Sequence, residues 1–243
     1  MNILTDPFHE NKVLMWVVIT TILLLFAING FEVSLILFQS CLLETQLWKD
    51  FYTLTNSILV NIVAAYVFFI LVVVIPEQRK KRIVKTHFAQ VFRDFKLILI
   101  DIFLQAADLQ QYHSESEKLL DIKCFKEFFD QSDMRAGDAR NHYWYAVMNG
   151  MQRNEYYVEE ILTQLEVLRQ EILYVLSSLE ITDQEVFDFL KRLSHILFTH
   201  RKVSTNYDEV EYLADFLWQV FSGWSFISRY SDKDSIEEII SKL

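Results

Sequence analysis

The chain is 243 residues long, carries a formal net charge of −10, and is 52% hydrophobic. It has only four Gly and two Pro, too few for the turns of a many-stranded sheet, so the composition favours an all-α protein. The acidic balance argues against broad, direct nucleic-acid binding, which depends on Lys and Arg neutralising phosphates, and the two cysteines form no metal-binding or redox motif.

Two long apolar segments predict a membrane hairpin after a short tail at residues 1–12. The predicted spans are residues 13–38 and 55–75, and each provides the roughly 20 apolar residues that a helix needs to cross about 30 Å of hydrocarbon. A cleaved signal peptide is the competing interpretation of the first segment. That apolar run is long for a signal peptide, and Asp6 and Glu10 stand where a basic leader is expected.

Basic residues follow the second span directly and predict the orientation of the hairpin. The link between the spans has a single basic residue, Lys49. The positive-inside rule therefore assigns the later basic cluster to the cytoplasmic side. Both termini are then cytoplasmic. We name this cluster the basic collar and expect it to contact the anionic leaflet of the lipid bilayer. The basic collar consists of Arg79, Lys80, Lys81, Arg82 and Lys85.

Polar residues interrupt both spans at similar depths. Asn29 and Glu32 share a face of the first helix because they are three apart, and Ser57 and Asn61, four apart, share a face of the second. At about 1.5 Å of rise per residue, the two polar faces lie level with each other. One interpretation is that they hydrogen-bond across the hairpin and fix its register. The other is that several copies assemble with these residues lining a polar path.

The chain beyond the hairpin, residues 76–243, predicts a cytosolic α-helical domain. From Thr86 onward it has 16 Lys and Arg against 27 Asp and Glu, so an acidic domain follows the basic collar. Pro76 should kink the second span or let a new helix begin. Apolar spacing then predicts a helix over 77–110, and within it residues 97–104, LILIDIFL, predict the centre of the domain.

A polar connector at residues 112–117 precedes a predicted short helix that ends near Phe129 and is capped by Asp121. Residues 130–151 then concentrate charged and aromatic side chains of the kind that form binding hot spots. This stretch is the predicted surface for a partner protein or a protein–nucleic acid complex. The alternative is a loop tied down by Asp–Arg pairs, with its aromatic residues in the core. The candidate binding residues are Asp133, Arg135, Asp138, Arg140, Tyr143 and Trp144.

The clearest helical periodicity begins at Val158 and continues over three heptads. It predicts a long helix of an antiparallel bundle, and the same seam would also allow self-association into a homo-oligomer. Thr182 and Glu185 form a capping-box pattern for the next helix. Further helices are expected to start at residues 204–206 and to span about 235–242.

The sequence contains no phosphate-binding Gly-rich loop, no HExxH and no CxxC motif, so no cofactor or metal is expected. Arg135 and His142 have an Arg-x6-His spacing that resembles the Arg-x(4-6)-His motif of the all-helical HEPN ribonucleases, in which both residues would act on the scissile phosphate. Ala136 replaces the polar residue usual in that family, and Gly137 weakens the helix on which the motif should lie. A membrane-tethered ribonuclease is therefore one alternative; otherwise we expect no enzymatic activity.

Residues 70–82 read ILVVVIPEQRKKR, an Ile75-Pro76-Glu77 exit followed by a basic run. With the short tail, the hairpin and the acidic helical domain, this layout resembles the two-transmembrane effector proteins of bacterial anti-phage systems, including those paired with retrons. The resemblance implies a dormant inner-membrane protein whose cytosolic domain is held by a partner and whose release damages the membrane. No catalytic residues carry over. The leading prediction is a non-enzymatic, oligomerising membrane effector; the other alternative is a non-toxic, membrane-anchored scaffold or receptor.

Overall fold

The structure is a computed structural model and describes residues 19–20, 46–129, 143–225, 229–230 and 234–243. Nearly all of these residues are helical, which confirms the expected all-α class. The chain divides into two compact units, Met1–Lys80 and Lys81–Leu243. The first predicted membrane span lies outside the described residues except for Ile19 and Thr20, so the two-helix hairpin stays a prediction.

Helix α1 of the first unit spans Gln46–Phe69 and continues into a π-helical segment, Ile70–Val74. It begins ahead of the predicted span start at residue 55, because no Gly or Pro interrupts the chain there. Its 24 residues measure about 36 Å at a rise of about 1.5 Å per residue. The helix is therefore long enough to cross a hydrocarbon core of about 30 Å.

A widened helical turn precedes Pro76. The amide of Ile75 donates to the carbonyl oxygen of Ile70, five residues earlier. Pro76 has no N–H, and in a regular α-helix its ring would clash with the carbonyl of Val72, so the π-helical turn relieves this conflict. Helix α2, Ile75–Ala106, follows directly, so the helical run continues without a break through this proline.

Helix α2 ends before the predicted boundary at residue 110. Asp108 adopts the left-handed conformation with φ 57°, and the amide of Leu109 donates to the carbonyl oxygen of Leu104 at 2.7 Å. This is the 6→1 hydrogen bond of a Schellman cap, in which Gly usually takes the left-handed position. Because Asp stands there instead, the sequence carries little signal for the end of the helix.

One face of α2 lies at the centre of the second unit. The segment 97–104 contributes to the core as predicted, although Ile98 remains 39% exposed. The buried stripe follows the helical period and includes Val84, Phe88, Phe92, Phe95, Leu99, Ile102 and Phe103. Most of the hydrophobic core therefore packs around this helix.

Two 3-10 turns replace the predicted polar connector, and shorter helices complete the second unit. The turns are Gln110–Glu115 and Lys118–Leu120. The helices are α3 Ile122–Phe129, α4 Tyr143–Arg153, α5 Glu155–Ser178, α6 Gln184–His200, α7 Tyr207–Phe221 and α8 Ser235–Lys242. Strands β1, Trp224–Ser225, and β2, Arg229–Tyr230, pair antiparallel. The sequence analysis missed this pair because two residues are too few to show alternation.

The predicted heptad seam is the buried face of α5. Its buried residues are Val158, Ile161, Leu165, Leu168, Ile172 and Val175. Helix α5 packs against α6, whose inward residues were also predicted and are buried; these are Val186, Phe189, Leu190, Leu193 and Leu197. A connection of only a few residues makes α5 and α6 an antiparallel pair.

The helix caps confirm one prediction and correct another. Asp121 caps α3 as expected, accepting from the amides of Lys123 and Cys124 at 3.0 and 3.1 Å. The predicted cap of α6 is wrong, because Asp183 rather than Thr182 accepts from the amides that begin the helix. A carboxylate carries a full negative charge toward the helix N-terminus, which a hydroxyl does not.

Helix α4 approaches the end of α2 at Gly150. A Cβ atom added to Gly150 would overlap the carbonyl oxygen of Ala106 and lie 2.6 Å from its carbonyl carbon. No larger residue fits without moving one backbone, so this glycine sets the distance between the two helices.

Candidate membrane helix and interaction surfaces

Helix α1 and the π-helical segment expose large apolar side chains. Phe68 is 66% exposed and Leu71 59%. An 18-residue window of this helical run has a mean hydropathy of 3.1 with none of it buried. Exposing apolar surface to water costs about 25 cal/mol per Å², so lipid is the favourable solvent for it. Among the described residues, this run is long and apolar enough to cross a membrane.

The two polar residues predicted for this span are both exposed. Leu59, Val63 and Tyr66 are less exposed than their neighbours and share one face of α1. Ser57 and Asn61 lie about 120° to 180° around the helix from that face, at about 100° per residue. Asn29 and Glu32 lie outside the described residues, so pairing between the two polar faces stays a prediction.

The basic collar divides into exposed and engaged residues. Lys85 is half-buried, and its ammonium donates to the carbonyl oxygen of Ser241 at 2.5 Å. Lys85 therefore contacts α8 within the second unit, which the sequence analysis did not anticipate. The remaining collar residues, Arg79, Lys80, Lys81 and Arg82, are exposed.

A buried cation on α2 also binds α8. The Lys96 side chain is 5% exposed, and its Nζ lies 3.1 Å from Oδ2 of Asp234 and 2.5 Å from Oε1 of Glu237. Oδ1 of Asp234 caps α8 by accepting two backbone amides. Burial raises the pKa of the Asp234 carboxyl, and the charge of Lys96 opposes this. We call these contacts, with that of Lys85, the α8 clamp; removing one partner of a buried ion pair costs about 3–5 kcal/mol.

Most of the predicted partner-binding residues lie outside the described part of the chain. These are Asp133, Arg135, Asp138 and Arg140, together with His142 of the ribonuclease pattern. Tyr143 begins α4 and is half-buried, with its ring 5.4 Å from that of Phe128.

Trp144 packs into an aromatic cluster of the second unit. Its ring centroid lies 5.1 Å from that of Phe103 and 5.3 Å from that of Trp218. The indole N–H is buried and has no hydrogen-bond partner among the residues that the structure describes. For Trp144, this position favours the alternative interpretation of an aromatic residue in the core. The cluster also contains Phe125, Phe129 and Phe221.

The sequence analysis missed a groove between α5 and α6. Its volume is about 220 Å³, and its lining includes Arg169, Leu173, Leu176, Lys191, His195 and Phe198. On each helix the three residues are spaced by four and then three, so each set lies on one face. This combination of apolar and cationic residues was visible in the sequence. The sequence does not show that these two helix faces adjoin, so it does not predict the groove.

Charged side chains lie beside the apolar residues that line this groove. Arg169 donates two hydrogen bonds to Glu166, at 2.6 and 2.7 Å, and these lower the pKa of Glu166 to about 2. Arg201 lies 4.6 Å from the ring centroid of Phe198. Lys191 and His195 are exposed and form no ion pair with the side chains described here. Lys191 and Arg201 are therefore exposed cations beside this groove that form no ion pair with the described side chains, whereas Arg169 is paired with Glu166.

The exposed face of α7 has the opposite charge. Asp208, Glu211 and Asp215 are exposed, and the residues of α7 include no Lys or Arg. Tyr212 lies among them and is 62% exposed. With the described side chains these three carboxylates form no ion pair. We call this surface the acidic face of α7.

One cluster has the residue types of a catalytic triad but not its connections. The Ser116 hydroxyl donates to Oδ1 of Asp101 at 2.6 Å, and Nδ1 of His113 lies 3.0 Å from the same oxygen. A nucleophilic Ser must instead donate to a His base. The cluster therefore stabilises the adjoining 3-10 turn. Within the described ranges, no group of His, Cys, Asp or Glu residues could hold a metal ion.

Comparisons of the chain with protein-family models, with curated proteins and with solved structures each found no match. These comparisons therefore assign no family to the chain.

Proposed function

We propose that this protein is a bacterial inner-membrane effector that perturbs the membrane when several copies assemble. Its cytosolic unit holds it inactive until a partner releases it. The main support is α1, which is apolar, exposed, and carries Ser57 and Asn61 on an exposed face. The resemblance of residues 70–82 and of the overall layout to two-transmembrane effectors is the ground for a defence or toxin role.

Assembly is part of the proposal because a single hairpin encloses no pore. In hydrocarbon, Asn61 has no water to bond, and an unsatisfied polar group there costs several kcal/mol. Interhelical hydrogen bonds between polar side chains contribute about 0.6 to 2 kcal/mol each. Copies that bring their Ser57 and Asn61 faces together would satisfy these groups and line a polar path.

The α8 clamp provides a way to hold the cytosolic unit in one packing arrangement. Lys85 and Lys96 both bind α8, and both belong to α2, the helix that begins where the apolar segment ends. A partner that displaced α8 would release both lysines from it. In this proposal the change in α2 packing then alters the collar and permits assembly.

Membrane potential in expressing cells tests the proposal. Wild-type protein, expressed without its genomic neighbours, should depolarise the cells. The variant Ser57→Leu/Asn61→Leu should leave the potential intact at equal protein level, because the polar path is lost. Val60→Leu, an apolar exchange on the same helix, is the matched control and should depolarise like the wild type.

Two outcomes would contradict parts of the proposal. Undiminished depolarisation by the Ser57→Leu/Asn61→Leu variant would reject the lining role of these residues. Normal growth and potential in cells that overexpress the wild type would reject the effector function. That second result would favour a membrane-anchored scaffold or receptor, for which the charged groove between α5 and α6 is the supporting observation.

A further inference from the structure

We infer that the groove between α5 and α6 receives the acidic face of α7 from a second copy of this chain. The cytosolic units would then associate head to tail. This inference rests on the proposed function, which requires assembly, and it names the surfaces that bring the copies together.

The size of the groove favours a side chain over a small molecule. Pockets for small ligands measure about 300–1,000 Å³, whereas this groove measures about 220 Å³ and opens to solvent. Its apolar lining consists of Leu173, Leu176 and Phe198, which suit an aromatic ring. The exposed Lys191 in the lining suits a carboxylate beside that ring.

The acidic face of α7 presents an exposed aromatic ring between carboxylates. Asp208, Tyr212 and Asp215 are spaced by four and then three, so the exposed ring has a carboxylate on either side. Tyr is also among the residues that most often anchor protein interfaces. The exposed carboxylates of this face are therefore complementary in charge to Lys191 and Arg201 beside the groove.

The two surfaces of one copy face different directions. Tyr212 contacts His200, with ring centroids 4.8 Å apart. On α6, His200 lies about 180° from Lys191 at about 100° per residue. The groove and the acidic face of α7 are therefore both open on the same copy, which makes the contact heterologous. Heterologous contacts build a ring when the rotation from one copy to the next closes on itself. Assembly around a common membrane path requires such a ring.

Reciprocal charge reversal in the full-length protein, purified in detergent, tests the inference. The groove variant is Lys191→Glu/His195→Glu, and the face variant is Glu211→Lys/Asp215→Lys. Each alone should associate at least about tenfold more weakly than the wild type, since that factor needs only about 1.4 kcal/mol. Mass photometry measures the copy number.

Mixing the two variants distinguishes interface loss from misfolding. In the mixture, the intact groove of one variant meets the intact acidic face of the other, and the two reversed surfaces also attract each other. Association should therefore recover. Lys123→Glu and Glu159→Lys reverse exposed charges elsewhere and should leave association unchanged.

Three results would overturn the inference. The first is a wild-type protein that stays monomeric at the highest concentration reached, and the second is association that charge reversal does not change. The third is loss of depolarisation in the groove variant alone with unchanged association, which would assign the groove to an acidic segment of another protein. Charge-dependent association without depolarisation in cells would instead support the interface and reject the effector function.

Discussion

His200 is a buried base without a hydrogen-bond partner among the residues described. It is 1% exposed and packs against the rings of Tyr212 and Phe216, and neither imidazole nitrogen finds an acceptor or donor in that part of the chain. Burial lowers the pKa of this imidazole below its ordinary value of 6.5. The folded protein therefore binds fewer protons at this position than the unfolded chain does in mildly acidic solution.

Replacing His200 with Phe should make the second unit less sensitive to acid. The contribution of His200 to the free energy of unfolding is fully present above pH 6.5 and falls as the pH drops below it, by at most about 1.4 kcal/mol per pH unit. Phe does not titrate, so this contribution disappears. Thermal unfolding at about pH 7.5 and about pH 5.5 should show a smaller difference in Tm for His200→Phe than for the wild type. The exposed change His195→Phe is the control; equal pH dependence in all three proteins would contradict the prediction.

The helix caps show how far single residues in the sequence can predict local structure. Asp121 was predictable because a lone acidic residue precedes the short apolar run of α3. At α6, two adjacent residues were both acceptable caps, and geometry selected Asp183 over Thr182. The left-handed Asp108 carried no such signal. Local sequence therefore predicts a cap where one residue can serve, but it does not choose between neighbours.

At the scale of helices, Gly150 shows packing overriding helix propensity. Propensity alone favours Ala over Gly inside a helix by about 1 kcal/mol. At this position, however, a Cβ atom would lie 2.6 Å from the carbonyl carbon of Ala106. The close approach of α4 to α2 therefore depends on the absence of a side chain.

The variant Gly150→Ala should be less stable than the wild type by about 1–3 kcal/mol, the usual cost of forcing extra atoms into a packed contact. Urea unfolding followed by circular dichroism measures the difference. Asn149→Ala changes the neighbouring residue without entering this contact, and propensity predicts a small gain in stability for it. A more stable Gly150→Ala protein would mean that the two helices are not in close contact.

Helical periodicity predicted elements better than contacts between them. The heptad seam identified the buried face of α5 because burial and period are directly linked. The groove between α5 and α6 depends on which exposed faces of the two helices adjoin, and no period encodes that. The α8 clamp was missed for the same reason, since Lys96 and Asp234 are 138 residues apart.

Across the whole molecule, charge and hydropathy change in blocks along the chain. An apolar exposed helix is followed by a basic collar and then by an acidic unit. Hydropathy predicts a membrane span here because a helix that is apolar all round over this length is typical of one. The orientation depends on the flanking charges and predicts that the two cysteines lie on opposite sides of the membrane.

Thiol labelling tests this orientation. Cys41 lies in the link between the predicted spans, and Cys124 is exposed on α3. On intact spheroplasts, a membrane-impermeant maleimide should label Cys41 and leave Cys124 unmodified until the membrane is permeabilised. Cys41→Ser and Cys124→Ser variants identify the labelled site. Labelling of Cys124 on intact cells would place the acidic unit outside and reject the predicted topology.

The long separation within the α8 clamp has a consequence for synthesis. Lys96 emerges from the ribosome 138 residues ahead of Asp234, which at about 5–20 residues per second is a delay of roughly 7–28 s. By then the apolar segment has already left the exit tunnel. During this interval Lys96 lacks its partner from α8, so the α8 clamp can form only after translation has reached α8.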